Sequence, residues 1–241
     1  MTRLLSLLEN APPNPDAKRT TRLTRRQIDK MYRPFVGDIG YFVVSWNRLQ
    51  ETLARLFWFV TGTSDGAMPL AIWHSSKDDR TQRAMLRSAA EVVFSGRFLR
   101  KGRLATPAEN KQALDDIVWI VNTMNALADK RNTTIHSPFL VSVDTTLRSK
   151  ARLTPHDTYG NPRALRLRGK DLTAEIRWYR AQADALTPFA YDVGSRIRWP
   201  ESGAWPDRPK LPILGQSSNS KPTRRRGTIK SPRTSGKQSR T

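Results

Sequence analysis

The chain has 241 residues, no cysteine, and 42 Lys and Arg against 21 Asp and Glu, a formal net charge of +21. The absence of cysteine excludes disulfides, thiolate nucleophiles and Cys-ligated zinc, and the length suits one domain with tails or two small domains. So large a cationic excess carries no information on fold, but it predicts attraction to a polyanion, either nucleic acid or an anionic membrane surface.

Residues 1–30 read as a flexible basic arm: APPNP is followed by the cluster KRTTRLTRR. The N-terminal RLLSLL is too short for a signal-peptide core and runs into ENAPPNP rather than a small-residue cleavage site. No apolar run approaches the ~18–20 residues that span a bilayer. A soluble, cytoplasmic protein with no membrane partner is therefore expected.

Helical periodicity begins with Phe42, Trp46, Leu49, Leu53, Leu56, Phe57 and Val60. These positions follow steps of three and four, which predicts a helix from about Asp38 to Val60, closed by Thr61-Gly62. A second helix is expected from about Ser76, where S-K-D-D places Asp79 at the third helical position, past Met85, Leu86 and Val93, with Gly96 and Gly102 bracketing its end. The third has the strongest start signal. Thr106-Pro107-Ala108-Glu109 supplies a capping Thr, a proline at the first helical position and a Glu at the third. Leu114, Ile117, Val118, Val121, Met124 and Leu127 mark its buried face, and it runs into Arg131.

Beyond Pro138, FLVSVD and ALRLR are strand-sized pieces around the turn signal YGNP, which suggests a small β-hairpin insertion. A last helix is expected from about Asp171 through Leu172, Ile176, Tyr179, Leu186, Val193 and Ile197, with Pro188 kinking or breaking it. Trp46, Trp58, Trp73, Trp119 and Trp178 fall in helical segments and are assigned to the core. After Trp199 the chain turns rich in Pro, Gly, Ser and basic residues, and from Gly215 onward it carries eight Lys and Arg and no acid, so +8 of the +21 lies there. The expected architecture is all-α: a four-to-five-helix bundle over residues 31–199, a small hairpin insertion, and a disordered basic tail over 200–241.

One stretch combines chemistry-bearing residue types. KRNTTIHSPF, Lys130 to Phe139, places Arg131, Asn132 and His136 at the end of the third helix. Its simplest explanation is structural: basic residues suit the negative end of a helix dipole, and Pro138 forces the helix to stop. On an ideal helix Arg131 and His136 lie about 140° apart, whereas Asn132 and His136 share a face. The trio also suits metal-free RNA cleavage. Histidine titrates near neutrality and can move the proton of a ribose 2′-OH. Arginine presents a donor fork to phosphate oxygens. His74, His136 and His156 are too dispersed in sequence to suggest a metal site, and no phosphate loop, HExxH or GxSxG is present. His74 is most simply explained as part of a helix entrance.

R-N-T-T-I-H resembles the R-x-x-x-x-H signature of the HEPN superfamily, in which a polar residue commonly follows the Arg. GYFVVSWNRLQETLARLF is similar to the first long helix of bacterial members, and the resemblance covers roughly residues 36–198. It implies a dimeric α-helical bundle whose two Arg–His motifs meet across the dimer, acting as a metal-independent endoribonuclease with no cofactor, often in toxin–antitoxin or other defence systems. Carried over residue by residue, Arg131 would stabilise phosphate, His136 would act as general base or acid, and Asn132 would position them. Asn47 and Glu51 resemble positions that support the cleft. RNA, a second copy of the chain and an antitoxin protein are the implied partners, with Arg224, Arg225 and Arg226 in the tail adding phosphate affinity. Two other readings stand beside it: a non-catalytic HEPN-like module that binds nucleic acid or protein, and a basic assembly protein whose Arg–His pair is only a helix end.

Overall fold

Long amphipathic segments need partners for their apolar stripes, and this chain supplies four. In the computed structural model, which describes residues 24–95, 104–142, 151–156, 160–201 and 203–214, they are α1 (Arg25–Thr61), α3 (Asp79–Phe94), α4 (Pro107–Ile135) and α6 (Leu172–Arg198). They close a ring in which α1 packs on α6 and α3, and α4 packs on α3 and α6. Two short helices, α2 (Ala67–Ser75) and α5 (Pro162–Arg166), and a two-stranded antiparallel sheet complete the described residues. The molecule is mostly helical, as its sequence periodicity requires. No helix among the described residues is long and apolar enough to cross a membrane.

The helix starts are set by local chemistry. Thr106 accepts a hydrogen bond from the Glu109 N–H while the Glu109 carboxylate accepts from the Thr106 N–H, a reciprocal cap that fixes the α4 start. Asp78 caps α3 by accepting from the Thr81 N–H at 2.8 Å. Asp171 caps α6. Gly62, at φ 78°, ends α1 in a left-handed conformation that suits glycine.

Helix α1 begins earlier than the Asp38 expected. Thr24 and Gln27 form a second reciprocal cap, so Arg25–Lys30 belong to a helix and not to the basic arm; residues 1–23 lie outside the described residues. Phe35 is buried one turn beyond Met31, extending the apolar stripe backwards. Helix α2 holds Trp73, as expected, but its bounds are not marked in the sequence, because its apolar residues show no one-sided periodicity. Gly96 and Gly102, expected to bracket the end of α3, lie outside the described residues.

The hairpin pairing differs from expectation. Strand β1 (Phe139–Ser142) pairs with β2 (Arg152–Pro155), with Leu140 opposite Thr154 and Val141 opposite Leu153. ALRLR is not a strand. Asn161 accepts from the Arg163 and Ala164 N–H groups, and Pro162 takes the first helical position of α5, so YGNP starts a helix instead of turning a hairpin. Pro188 does not interrupt α6, which runs unbroken to Arg198.

Core residues come from all four long helices: Trp46, Leu49 and Leu53 from α1, Leu86 from α3, Ile117 and Ile120 from α4, Tyr179 and Leu186 from α6. The α1–α6 contact is close at Gly194, where an added Cβ would lie 3.0 Å from the Phe59 ring. Of the five tryptophans assigned to the core, Trp46 and Trp73 are fully buried, and Trp58, Trp119 and Trp178 are half-buried.

Residues 203–214, expected within a disordered tail, instead strap across α4 and α6. Buried Asp116 accepts from the Trp205 indole N–H at 2.6 Å and from Arg208 Nε at 2.5 Å. The Pro212 carbonyl accepts from the Trp178 indole at 2.8 Å and from the Gln182 amide, and Arg208 lies over the Trp119 ring. Sequence composition fails here because a few long-range anchors offset the ordering entropy of an otherwise polar segment. Residues 215–241 lie outside the described residues.

Two stability outcomes follow. Thr106→Ala is expected to cost about 1 kcal/mol by removing the α4 cap. Asp116→Ala is expected to cost about 2–3 kcal/mol, since both strap anchors lose a charged acceptor. Urea denaturation measures both, and faster tryptic cleavage after Lys210 in Asp116→Ala reports release of the strap.

Candidate functional site

Arg131 sits in the penultimate turn of α4, facing the crossing of α1 and α3. Its guanidinium lies over the Trp46 ring, 4.7 Å from the centroid. Nη1 donates to the Asn132 side-chain oxygen at 2.7 Å, and Nη2 stands 3.9 Å from Asp79 Oδ2. Nε is buried without a hydrogen-bond partner among the described residues. Burial lowers the pKa of Arg131, and Asp79 acts in the opposite direction. The group stays cationic at any ordinary pH, so burial concentrates its charge rather than removing it.

An aromatic chain supports this arrangement from below. Trp46 contacts Phe42 at 5.9 Å between ring centroids, and Phe42 contacts Tyr179 at 6.2 Å. The Tyr179 hydroxyl donates to Glu175 at 2.7 Å and lies 3.3 Å from the Thr134 hydroxyl, on the last turn of α4. Burial raises the Tyr179 pKa well above the usual phenol range, and Glu175 adds to that rise. On the other side, Arg83 is buried on α3 and donates from Nε to Asn125 at 2.7 Å. Burial lowers its pKa, while Asp79 and Asp129 favour its charged form. Asp79 therefore faces two guanidiniums and also accepts from the Gln50 amide at 3.2 Å.

Above Trp46 opens a cleft of about 310 Å³ lined by Trp46, Asn47, Gln50, Glu51, Trp73, His74, Asp79, Gln82 and Arg131. The structure thus brings Arg131 together with Asn47 and Glu51, both exposed and one turn apart on α1. His74, at the end of α2, joins them. Asn132 is exposed and holds Arg131 without lining the cleft. His136, the C-cap of α4, is also exposed and outside the lining; its backbone N–H donates to the Asn132 carbonyl at 3.2 Å, and none of the described residues hydrogen-bonds its imidazole. Among the described residues, Arg131 lines this cleft and His136 does not. His156 lies at the end of β2, away from this lining, and Arg224, Arg225 and Arg226 lie outside the described residues.

No family model, curated protein or solved structure matches the chain.

Several lining residues carry no sequence signal of a site. Trp46 and Trp73 read as core, and they are core; the cleft uses their edges. Gln50 and Gln82 look like solvated helix positions. Asp79 reads as a helix-start acid, although its position one turn before Arg83 on α3 hints at a charge partner.

The two carboxylate contacts differ in burial, which separates their expected contributions. Tyr179→Phe should cost about 1–3 kcal/mol, because it strips a donor from the buried Glu175. Asp79→Asn should cost less than about 1 kcal/mol, since Asp79 is half-exposed and its pair with Arg131 is long. Thermal denaturation monitored by circular dichroism ranks the two, and the reverse order would contradict this account.

Proposed function

We propose that the protein is a metal-independent endoribonuclease of HEPN type, built around Arg131 and His136. The observation that carries the reading is the state of Arg131: a guanidinium withdrawn from water onto Trp46, at the edge of a polar cleft, beside the Asn132–His136 helix end. A partly desolvated, preoriented cation is what a crowded phosphorane intermediate requires.

The reaction needs no group beyond the RNA and the side chains. The ribose 2′-oxygen attacks the adjacent phosphorus while its proton passes to a base. The P–O5′ bond breaks, and the leaving 5′-oxygen takes up a proton. The products are a 2′,3′-cyclic phosphate and a 5′-hydroxyl. His136 takes or returns the proton, Arg131 stabilises charge on the non-bridging oxygens, and Asn132 holds the guanidinium through its 2.7 Å contact. Because His136 lies outside the cleft that Arg131 borders, the reading requires a second copy of the chain to bring its His136 to this Arg131, as in a two-fold dimer.

One observation favours a second reading. Both terminal nitrogens of Arg131 face protein oxygens, Asn132 and Asp79, as suits a module that binds nucleic acid without turnover.

Cleavage of a synthetic RNA in EDTA separates the two. The nuclease reading expects 2′,3′-cyclic phosphate ends and a loss of at least about 100-fold in Arg131→Ala and in His136→Ala. It also expects cleavage to return when the two inactive variants are mixed, since a mixed dimer retains one intact Arg–His pair. Full activity in both variants would remove the site assignment. Salt-sensitive RNA binding with no turnover would leave the second reading.

A further inference from the structure

We infer that the cleft over Trp46 is a base-recognition pocket that selects guanine through the Glu51 carboxylate, while Arg131 at its edge keeps the phosphate role assigned above. The inference rests on the proposal that this site acts on RNA and specifies which nucleotide it engages.

Charge balance comes first. The lining contains one guanidinium, Arg131, two carboxylates, Glu51 and Asp79, and the imidazole of His74. A phosphate inside this space would meet two anions at close range and gain little. Three amide side chains, Asn47, Gln50 and Gln82, fill the remaining polar positions. A wall dense in donors and acceptors, with one more carboxylate than guanidinium, suits a hydrogen-bonding ligand that carries no negative charge into it. The phosphate then belongs at the rim.

The exposed polar groups point the same way: Asn47 and Glu51, one turn apart on α1, both stand open on the cleft wall. The volume of about 310 Å³ lies at the small end of ligand pockets, roughly 300–1,000 Å³, and suits a single nucleoside-sized group.

Among bases, guanine fits the carboxylate of Glu51. Its Watson–Crick edge carries two adjacent N–H donors, which match the two oxygens of one carboxylate. Its O6 and N7 are adjacent acceptors, which amide N–H groups of the lining suit. Glu51 is exposed at the cleft and accepts no hydrogen bond from the described residues, so its carboxylate is open to such an edge. Adenine offers a single amino donor beside an acceptor, and the pyrimidines lack the second acceptor edge. Single-stranded RNA presents unpaired bases to this kind of readout.

The test uses the full chain and the four nucleoside 3′-monophosphates, with binding followed by calorimetry and by quenching of tryptophan fluorescence. The guanosine nucleotide is expected to bind at least about tenfold more tightly than the other three, the discrimination of one good bidentate contact. Glu51→Gln keeps the size of the side chain but sets an amide donor against the base N–H groups, so it should abolish the guanosine preference and leave the other affinities within about twofold. Circular dichroism verifies that the variant folds, and Arg48→Ala, exposed on the same helix but outside the lining, should retain the preference. Equal affinity for all four nucleotides, no binding, or a preference that survives Glu51→Gln overturns the inference. RNA cleavage without base preference would leave the nuclease reading intact and remove this one; guanosine selection without cleavage would do the reverse.

Discussion

A guanidinium taken out of water and laid on an indole ring is the constraint that organises one end of this bundle. Desolvation disfavours the charge of Arg131, yet arginine does not give up its proton in a protein. Compensation must come from the surroundings: the face of Trp46 from α1, the carboxylate of Asp79 from α3, and the amide oxygen of Asn132 from α4 itself. One side chain thereby ties three helices at a single point. The same demand places Asp79 between two cations, because Arg83, one turn along α3, is buried and feels that carboxylate as well. In a low-dielectric setting such a network is strong where satisfied and costly where it is not, and the buried, unpartnered nitrogens on Arg131 and Arg83 show that it is not fully satisfied.

How much of this was legible in the sequence follows from the range of each interaction. The α4 cap is written within four residues, Thr106 to Glu109, and the structure reproduces it. The Asp171 cap is equally local, whereas S-K-D-D set the α3 start near Ser76 and the structure caps it with Asp78, so that the helix begins at Asp79. The apolar stripe of α1 is local too, although its beginning was missed: the Thr24–Gln27 cap stands well before the first large aromatic residue. YGNP was misread because Asn-Pro serves equally as a turn and as a cap followed by a first-turn proline, and only packing decides which. The strap was illegible for a different reason. Its contacts join residues about ninety positions apart, Asp116 to Trp205 and Arg208, and no window of sequence contains both ends. The cleft divides in the same way. Asn47 and Glu51, four apart on one helix, are visible as a pair, and Arg131 stands out in its motif. That these three border one space, and that His136 does not, depends on how α1 crosses α4.

The strap changes how the charge of the molecule is distributed. Without it, everything after Trp199 would be a basic tether. With it, Arg208 is spent on Asp116, and the segment is held along α4 and α6 as far as Pro212, beside Trp178. Lys130 lies over that same Trp178 ring, 5.6 Å from its centroid, and Lys130 precedes Arg131. The strap thus passes close to the end of α4 that carries Arg131.

On the proposed reading, affinity and selectivity are separate properties. Long-range attraction to a polyanion would come from the net charge of +21, would be blind to sequence, and would weaken with salt as counterion release becomes less favourable. The cleft would contribute little to that attraction, because its two carboxylates outnumber its guanidinium. What such a hydrogen-bonding recess can supply is discrimination between ligands already brought close. Backbone charge that positions and base edges that specify are the usual division in nucleic-acid recognition. A cleft selected only for phosphate affinity would not keep Glu51 and Asp79 on its wall, and their presence next to Arg131 is the strongest physical reason to read this site as one that discriminates.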